Sequence, residues 1–136
     1  MYIRDCMKTP VVTVEPDSML DDASRMMFEK HIRRLPVVEN GRLVGLVTRD
    51  RIRNTMPLSV QPMTIWGIHY QLSKMKVRDV MINDVITVTP DNTVKEVATL
   101  SMKHEIGTFP VVDRNGILVG ILTNTDLLHV LVNTPD

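Results

Sequence analysis

The stretch Leu35-Pro36-Val37-Val38-Glu39-Asn40-Gly41-Arg42-Leu43-Val44-Gly45-Leu46-Val47-Thr48 decides the fold. Two apolar, β-branched runs flank Asn40-Gly41, a dipeptide that tolerates positive φ, so the stretch predicts a β-hairpin. It returns as Phe109-Pro110-Val111-Val112, a turn over Asp113-Gly116, and Leu118-Val119-Gly120-Ile121-Leu122-Thr123. The offset is 74 at Pro36-Val37-Val38 against Pro110-Val111-Val112. One extra residue in the second turn makes it 75 at Asn40-Gly41 against Asn115-Gly116.

The match extends outward. Met7, Val11, Thr13-Val14 and Pro16-Asp17 repeat as Met81, Val85, Thr87-Val88 and Pro90-Asp91. The chain is therefore an internal repeat, and each copy reads strand, helix, strand, strand, helix. In the first copy these are strand 11–14, a helix from about Met19 to Lys30 with Asp17-Ser18 as N-cap, strands 35–38 and 43–47, and a helix after Thr48. In the second they are strand 85–88, helix 93–103, strands 109–112 and 118–122, and helix 125–132. Leu20, Ala23, Met26 and Met27 recur at helical spacing. The organisation expected is repeat one over 1–55, a linker over 56–75, and repeat two over 76–136. Met56-Pro57 and Gln61-Pro62 interrupt the linker, and Ile65, Ile68, Leu72 and Met75 then predict a helix. A repeat of about 50 residues buries too little surface to fold alone, so two must complete each other.

Composition narrows the function. The 136 residues are 43% hydrophobic and 24% charged, which is ordinary for a globular chain. Lys+Arg and Asp+Glu both total 16, which argues against phosphate neutralisation along a nucleic acid. No apolar run is long enough for a bilayer-spanning helix, and Met1 to Cys6 has no signal-peptide core, so no membrane insertion and a cytoplasmic setting are expected. A single Cys6 excludes an intrachain disulfide and a cysteine zinc site. His31, His69, His104 and His129 lack metal-ligand spacing, so no metal is expected. No P-loop, G-x-G-x-x-G or G-x-S-x-G occurs, and the chain is not expected to be an enzyme. The ten methionines read as core fill, and Cys6 as an inert thiol.

The two ordered copies, His31-Ile32-Arg33-Arg34-Leu35-Pro36-Val37-Val38 through Thr48 and Glu105-Ile106-Gly107-Thr108-Phe109-Pro110-Val111-Val112 through Thr123, resemble a tandem pair of CBS (cystathionine-β-synthase) motifs, a Bateman module. The linker is similar to that of CBS proteins of the acetoin-utilisation type. The resemblance implies an α/β (α+β) fold of two pseudo-twofold-related β-α-β-β-α repeats. It implies a regulatory module that binds AMP, ADP, ATP or a related adenosyl ligand, needs no cofactor, pairs as a homodimer and acts on a regulated enzyme or transporter. The Trp66-Tyr70 helix and the Met26-Met27 stripe are the expected interface surfaces. A ligand-free dimerisation scaffold is the alternative.

The family signature Thr/Ser-x-x-Asp stands as Thr123-Asn124-Thr125-Asp126 in the second copy. An ionised Asp accepts hydrogen bonds only and suits ribose hydroxyls. The first copy reads Thr48-Arg49-Asp50-Arg51, with Arg51 in the carboxylate's place. The resemblance pairs Asp126 and Thr123 with Thr9, Val11, Ile32, Arg33 and Arg34, with Arg33 toward phosphate. One competent adenosine-phosphate cleft per chain is expected. Asp126 has a plainer reading as well, a cap on the last helix.

Overall fold

The structure is a computed structural model that describes residues 1–55 and 65–135. Its elements are α1 (Leu20–Glu29), β1 (Arg34–Glu39), β2 (Arg42–Thr48), α2 (Arg49–Thr55), α3 (Ile65–Ser73), α4 (Val94–His104), β3 (Thr108–Val112), β4 (Leu118–Thr123) and α5 (Asn124–Asn133). Short 3-10 turns precede each copy's extended segment, at Ile3–Asp5 and Val77–Asp79. The prolines at 57 and 62 lie outside the described residues, as does the side chain of Trp66.

Both hairpins form as the repeat predicts. β1 pairs antiparallel with β2 and β3 with β4. Asn40 and Gly41 take φ of 54° and 80° in the first turn, and Gly116 takes 80° in the second. The strands expected at 11–14 and 85–88 shrink to single parallel bridges, Val14 to Val37 and Val88 to Val111. The flanking Pro16 and Pro90 stop the ladder after that residue. Asp17-Ser18 does not cap α1: the N-cap is Met19, with no side-chain bond. The equivalent helix α4 does carry a capping box, Thr93 with Glu96. Both helices end through a left-handed residue at matching positions, His31 at φ 55° and Glu105 at 56°.

The chain divides into two compact units that differ from the contiguous repeats. The first unit is Val12–Val85; the second joins Met1–Val11 to the chain from Ile86 onward. Each has its own core. Val14, Leu20, Ala23, Met27, Leu35, Val37, Val47, Ile52, Leu72, Val77 and Val80 are buried together in the first. Ile3, Val88, Val97, Phe109, Val111 and Leu122 are buried together in the second. Val77 and Val80 thus complete the first core from beyond the first repeat. Ile3 does the same for the second from the other end of the chain. Met27 is 1% exposed and Met26 packs on the same cluster, so the Met26-Met27 stripe is core and not an open interface face.

The exchanged segments explain the glycines in both β-hairpins. Residues 81–82 run against Gly45 and residues 7–8 against Gly120. A Cβ on Gly45 would stand 2.8 Å from the Met81 sulfur and 3.0 Å from the Ile82 carbonyl oxygen. On Gly120 it would stand 2.5 Å from the Met7 sulfur and 3.3 Å from the Lys8 carbonyl oxygen. A Cβ at either place would push the methionine side chain aside and crowd the backbone carbonyl, so glycine fits the approach without a shift. Paired backbone bonds fix it: Lys8 with Ile121 at 2.9 and 3.1 Å, and Ile82 with Leu46 at 2.8 and 3.0 Å.

Candidate functional site

In the second unit, β4 runs directly into α5, and Thr123 is the N-cap. The Asp126 carboxylate, only 6% exposed, is bound on both of its oxygens. Its Oδ2 accepts the Thr123 backbone N–H at 2.8 Å and the Thr123 hydroxyl at 3.0 Å. The Asp126 N–H donates to the Thr123 hydroxyl oxygen at 3.3 Å. This is a capping box, and it uses one carboxylate oxygen. The other, Oδ1, lies 3.3 Å from the Lys8 ammonium, whose side chain is 64% exposed. The cap and the ligand role are therefore compatible, because each takes its own oxygen. A lone oxygen still offers two lone-pair directions to a diol.

Lys8 was not singled out by the sequence reading. Its place beside the signature strand comes from the bridge to Ile121, a long-range pairing that no local pattern specifies. Thr9, exposed, and Val11, half-buried, belong to the same unit as Asp126. Asn124 and Thr125 are exposed. The Asn124 side chain is anchored by its Oδ1, which accepts the Ser101 hydroxyl at 2.9 Å, while its backbone N–H donates to the Gly107 carbonyl at 2.9 Å. A cavity of about 270 Å³ opens beside Asp126, lined also by Asp5, Cys6, His129 and Asn133. That is close to the lower bound of small-molecule pockets, roughly 300 Å³. Burial, then the Asp126 and Asp5 carboxylates, push the Cys6 thiol above its ordinary pKa, which disfavours a reactive thiolate.

Ile32, Arg33 and Arg34 belong to the first unit. Ile32 packs on that unit's core, while Arg33 and Arg34 are exposed. Arg51 stands at the matching place to Asp126. Its N–H donates to the Thr48 hydroxyl at 3.0 Å, so the cap by Thr survives, and its Nε donates to the Val80 carbonyl at 3.0 Å. Asp50 is turned away, exposed and 3.7 Å from Arg53. The first unit therefore has no carboxylate at the signature position.

The family model described as CBS domain matches residues 3–57 and 77–133. The chain belongs to the CBS-domain family, as a tandem pair. It is 34% identical over 155 residues to the uncharacterized protein MJ1426 of Methanocaldococcus jannaschii, covering 97% of this chain and 92% of that one. Among solved structures it is similar to AcuB of Vibrio cholerae, a protein ascribed to acetoin utilization. There the TM-score is 0.79 and the identity 28%, over 98% of this chain and 91% of that one. It shares the fold of CBSX2, solved in complex with AMP, at a TM-score of 0.81 and 23% identity, over 99% of each chain. The chain spans less than half the length of several other curated relatives. A homoserine O-acetyltransferase and an inosine-5'-monophosphate dehydrogenase are among these, matched over 24% and 22% of their length. The shared part is the regulatory CBS pair. Among the described residues, no helix is long and apolar enough to cross a membrane.

Proposed function

We propose that the chain is a sensing module for an adenosine nucleotide, AMP, ADP or ATP, without catalysis of its own, that alters the activity of an enzyme or transporter. The observation that carries this is the Asp126 carboxylate. It is buried, held rigid by Thr123 through one oxygen, and carries only a solvent-exposed lysine on the other. Such a carboxylate suits a vicinal diol, because two hydroxyl donors replace one mobile ammonium. The AMP complex of CBSX2 indicates that this fold accommodates such a ligand in another protein. Thr9, Val11, Thr123, Asn124 and Thr125 are the neighbours assigned to the ligand, with Ile32, Arg33 and Arg34 assigned to the adenine and phosphate side.

Calorimetric titration of the full chain with AMP tests the reading. A charged hydrogen bond is worth roughly 1.5–3 kcal/mol, so Asp126→Ala weakens AMP by at least about tenfold. Deoxyribose analogues bind the native chain poorly for the same reason, and Arg51→Ala leaves AMP affinity unchanged. Native affinity in Asp126→Ala would overturn the assignment. No heat with any adenosine ligand would favour the scaffold alternative.

The module also pairs as a homodimer. Leu128, Leu131 and Val132 on α5 are 59%, 70% and 79% exposed and lie at helical spacing. Sedimentation equilibrium at micromolar concentration should give about twice the 15.5 kDa chain mass. A monomer mass would refute the pairing.

A further inference from the structure

The last helices of the two repeats, α2 and α5, stand at matching positions and differ in charge. α2 reads Arg49-Asp50-Arg51-Ile52-Arg53-Asn54-Thr55, with four charged residues. α5 reads Asn124-Thr125-Asp126-Leu127-Leu128-His129-Val130-Leu131-Val132-Asn133, and its one carboxylate, Asp126, is buried in the cap. The water side of an amphipathic helix is ordinarily polar or charged. α5 departs from that rule. Leu128, Leu131 and Val132 are largely exposed and stand at i, i+3 and i+4, on one stripe. Leu127 takes the core side of the helix and packs on the second unit's cluster. The stripe is therefore a second apolar face, separate from the one that holds α5 to its unit. Met102, also exposed, lies on α4, which packs against α5.

The first unit is an internal control, because the frame repeats. Leu128 is matched there by Arg53 and Thr125 by Asp50. Both are exposed, 3.7 Å apart. A second copy that laid its α2 on α5 would set Leu128 against a guanidinium and strip water from that charge. The loss of hydration opposes the apolar contact. A second copy that laid its own α5 there would bury leucine on leucine with no charge in the seam. Depletion of charge marks the core of an interface, and the stripe on α5 has that composition while α2 does not.

We infer that the chain pairs isologously through α5. The Leu128-Leu131-Val132 stripe of one copy packs on the same stripe of a second copy across a two-fold axis, and α2 stays outside the contact. An axis through the stripe makes the face its own complement, which suits a surface without charge. The inference rests on the homodimer proposed above and specifies its surface; it does not depend on the nucleotide reading.

The test is thiol cross-linking of the full chain in a Cys6→Ala background, which removes the only native thiol. With a short bismaleimide, Leu131→Cys should link to itself and give a species of two chains, and Arg53→Cys should not. In sedimentation, Leu128→Glu/Leu131→Glu sets like charges across the axis and should weaken pairing by at least about tenfold. Arg53→Glu should leave it unchanged. These three positions are exposed, so the glutamate variants keep both cores and the native thiol, and they serve if Cys6→Ala does not fold. Linking between mixed Leu131→Cys and Arg53→Cys chains, with neither linking to itself, identifies α5 on α2 and overturns the inference. A two-chain mass that survives Leu128→Glu/Leu131→Glu overturns it as well and leaves the pairing standing. A one-chain mass for the native protein sinks the pairing itself, and this interface with it.

Discussion

Asp126 and Arg51 show how one position decides what a repeated frame can bind. Both follow a capping threonine by three residues, and both close the same turn of backbone. The acid leaves one acceptor oxygen beside Lys8 and the base leaves guanidinium donors near Val80. In the proposed nucleotide site Lys8 competes with a hydroxyl donor for Oδ1, because its ammonium lies 3.3 Å from that oxygen. Lys8 is 64% exposed and screened by solvent although Asp126 is buried, so the pair is worth roughly 1 kcal/mol and removing the competitor has a modest effect. Lys8→Met should therefore tighten adenosine binding by roughly two- to fivefold, as calorimetry would read it. A looser complex would mean that Lys8 supports the ligand and does not compete with it. The carboxylate itself was legible from the Thr123-to-Asp126 spacing. Its lysine was not, because 118 positions of chain separate them and only the bridge to Ile121 brings them together.

At the scale of elements, the helices differ in how their ends are secured. α4 has a reciprocal capping box. The Glu96 carboxylate accepts the Thr93 N–H at 2.9 Å and the Glu96 N–H donates to the Thr93 hydroxyl at 3.1 Å. The Thr93 backbone bond, followed by its hydroxyl, lowers the Glu96 pKa below the ordinary carboxylate range. A lowered folded-state pKa adds stability above the unfolded value, about 4.3, and loses it as pH falls through the folded one. Glu96→Gln should thus flatten the acid limb of a Tm-against-pH curve below about pH 4.3 and leave its neutral plateau nearly flat. An unchanged acid limb would remove Glu96 from the cap. The first copy has no such box, and the pattern Asp17-Ser18 before an apolar run misled the reading there. Asp17 is drawn off by Arg78 at 2.8 Å, a partner 61 residues away. That side-chain bond to Arg78 also lowers the Asp17 pKa.

For the whole molecule, the exchange of terminal segments matters most. Met1–Val11 open the first repeat, yet Ile3 is fully buried in the second unit's core. Backbone bonds support it, Ile3 N–H to the Asn92 carbonyl at 2.9 Å and Val94 N–H to the Met1 carbonyl at 3.0 Å. Ile3→Ala should lower unfolding free energy by about 2–4 kcal/mol in chemical denaturation, the cost of a core cavity. A surface-like effect under about 0.5 kcal/mol would contradict its place in the core.

The sequence alone determined the repeat, both hairpins with their Asn-Gly and Gly turns, the five α-helices of the described residues and the acidic signature at Asp126. These are local properties: periodicity, turn chemistry and cap spacing act within a few residues, so short stretches carry them. The tertiary structure decided the rest. It reduced the first strand of each copy to one bridge, buried Met27 and set Met26 half-buried against the same core. It also assigned each end segment to the core of the other repeat and set Lys8 on Asp126. Those outcomes depend on which distant backbone fits against Gly45 and Gly120, a contact between segments that no local pattern specifies.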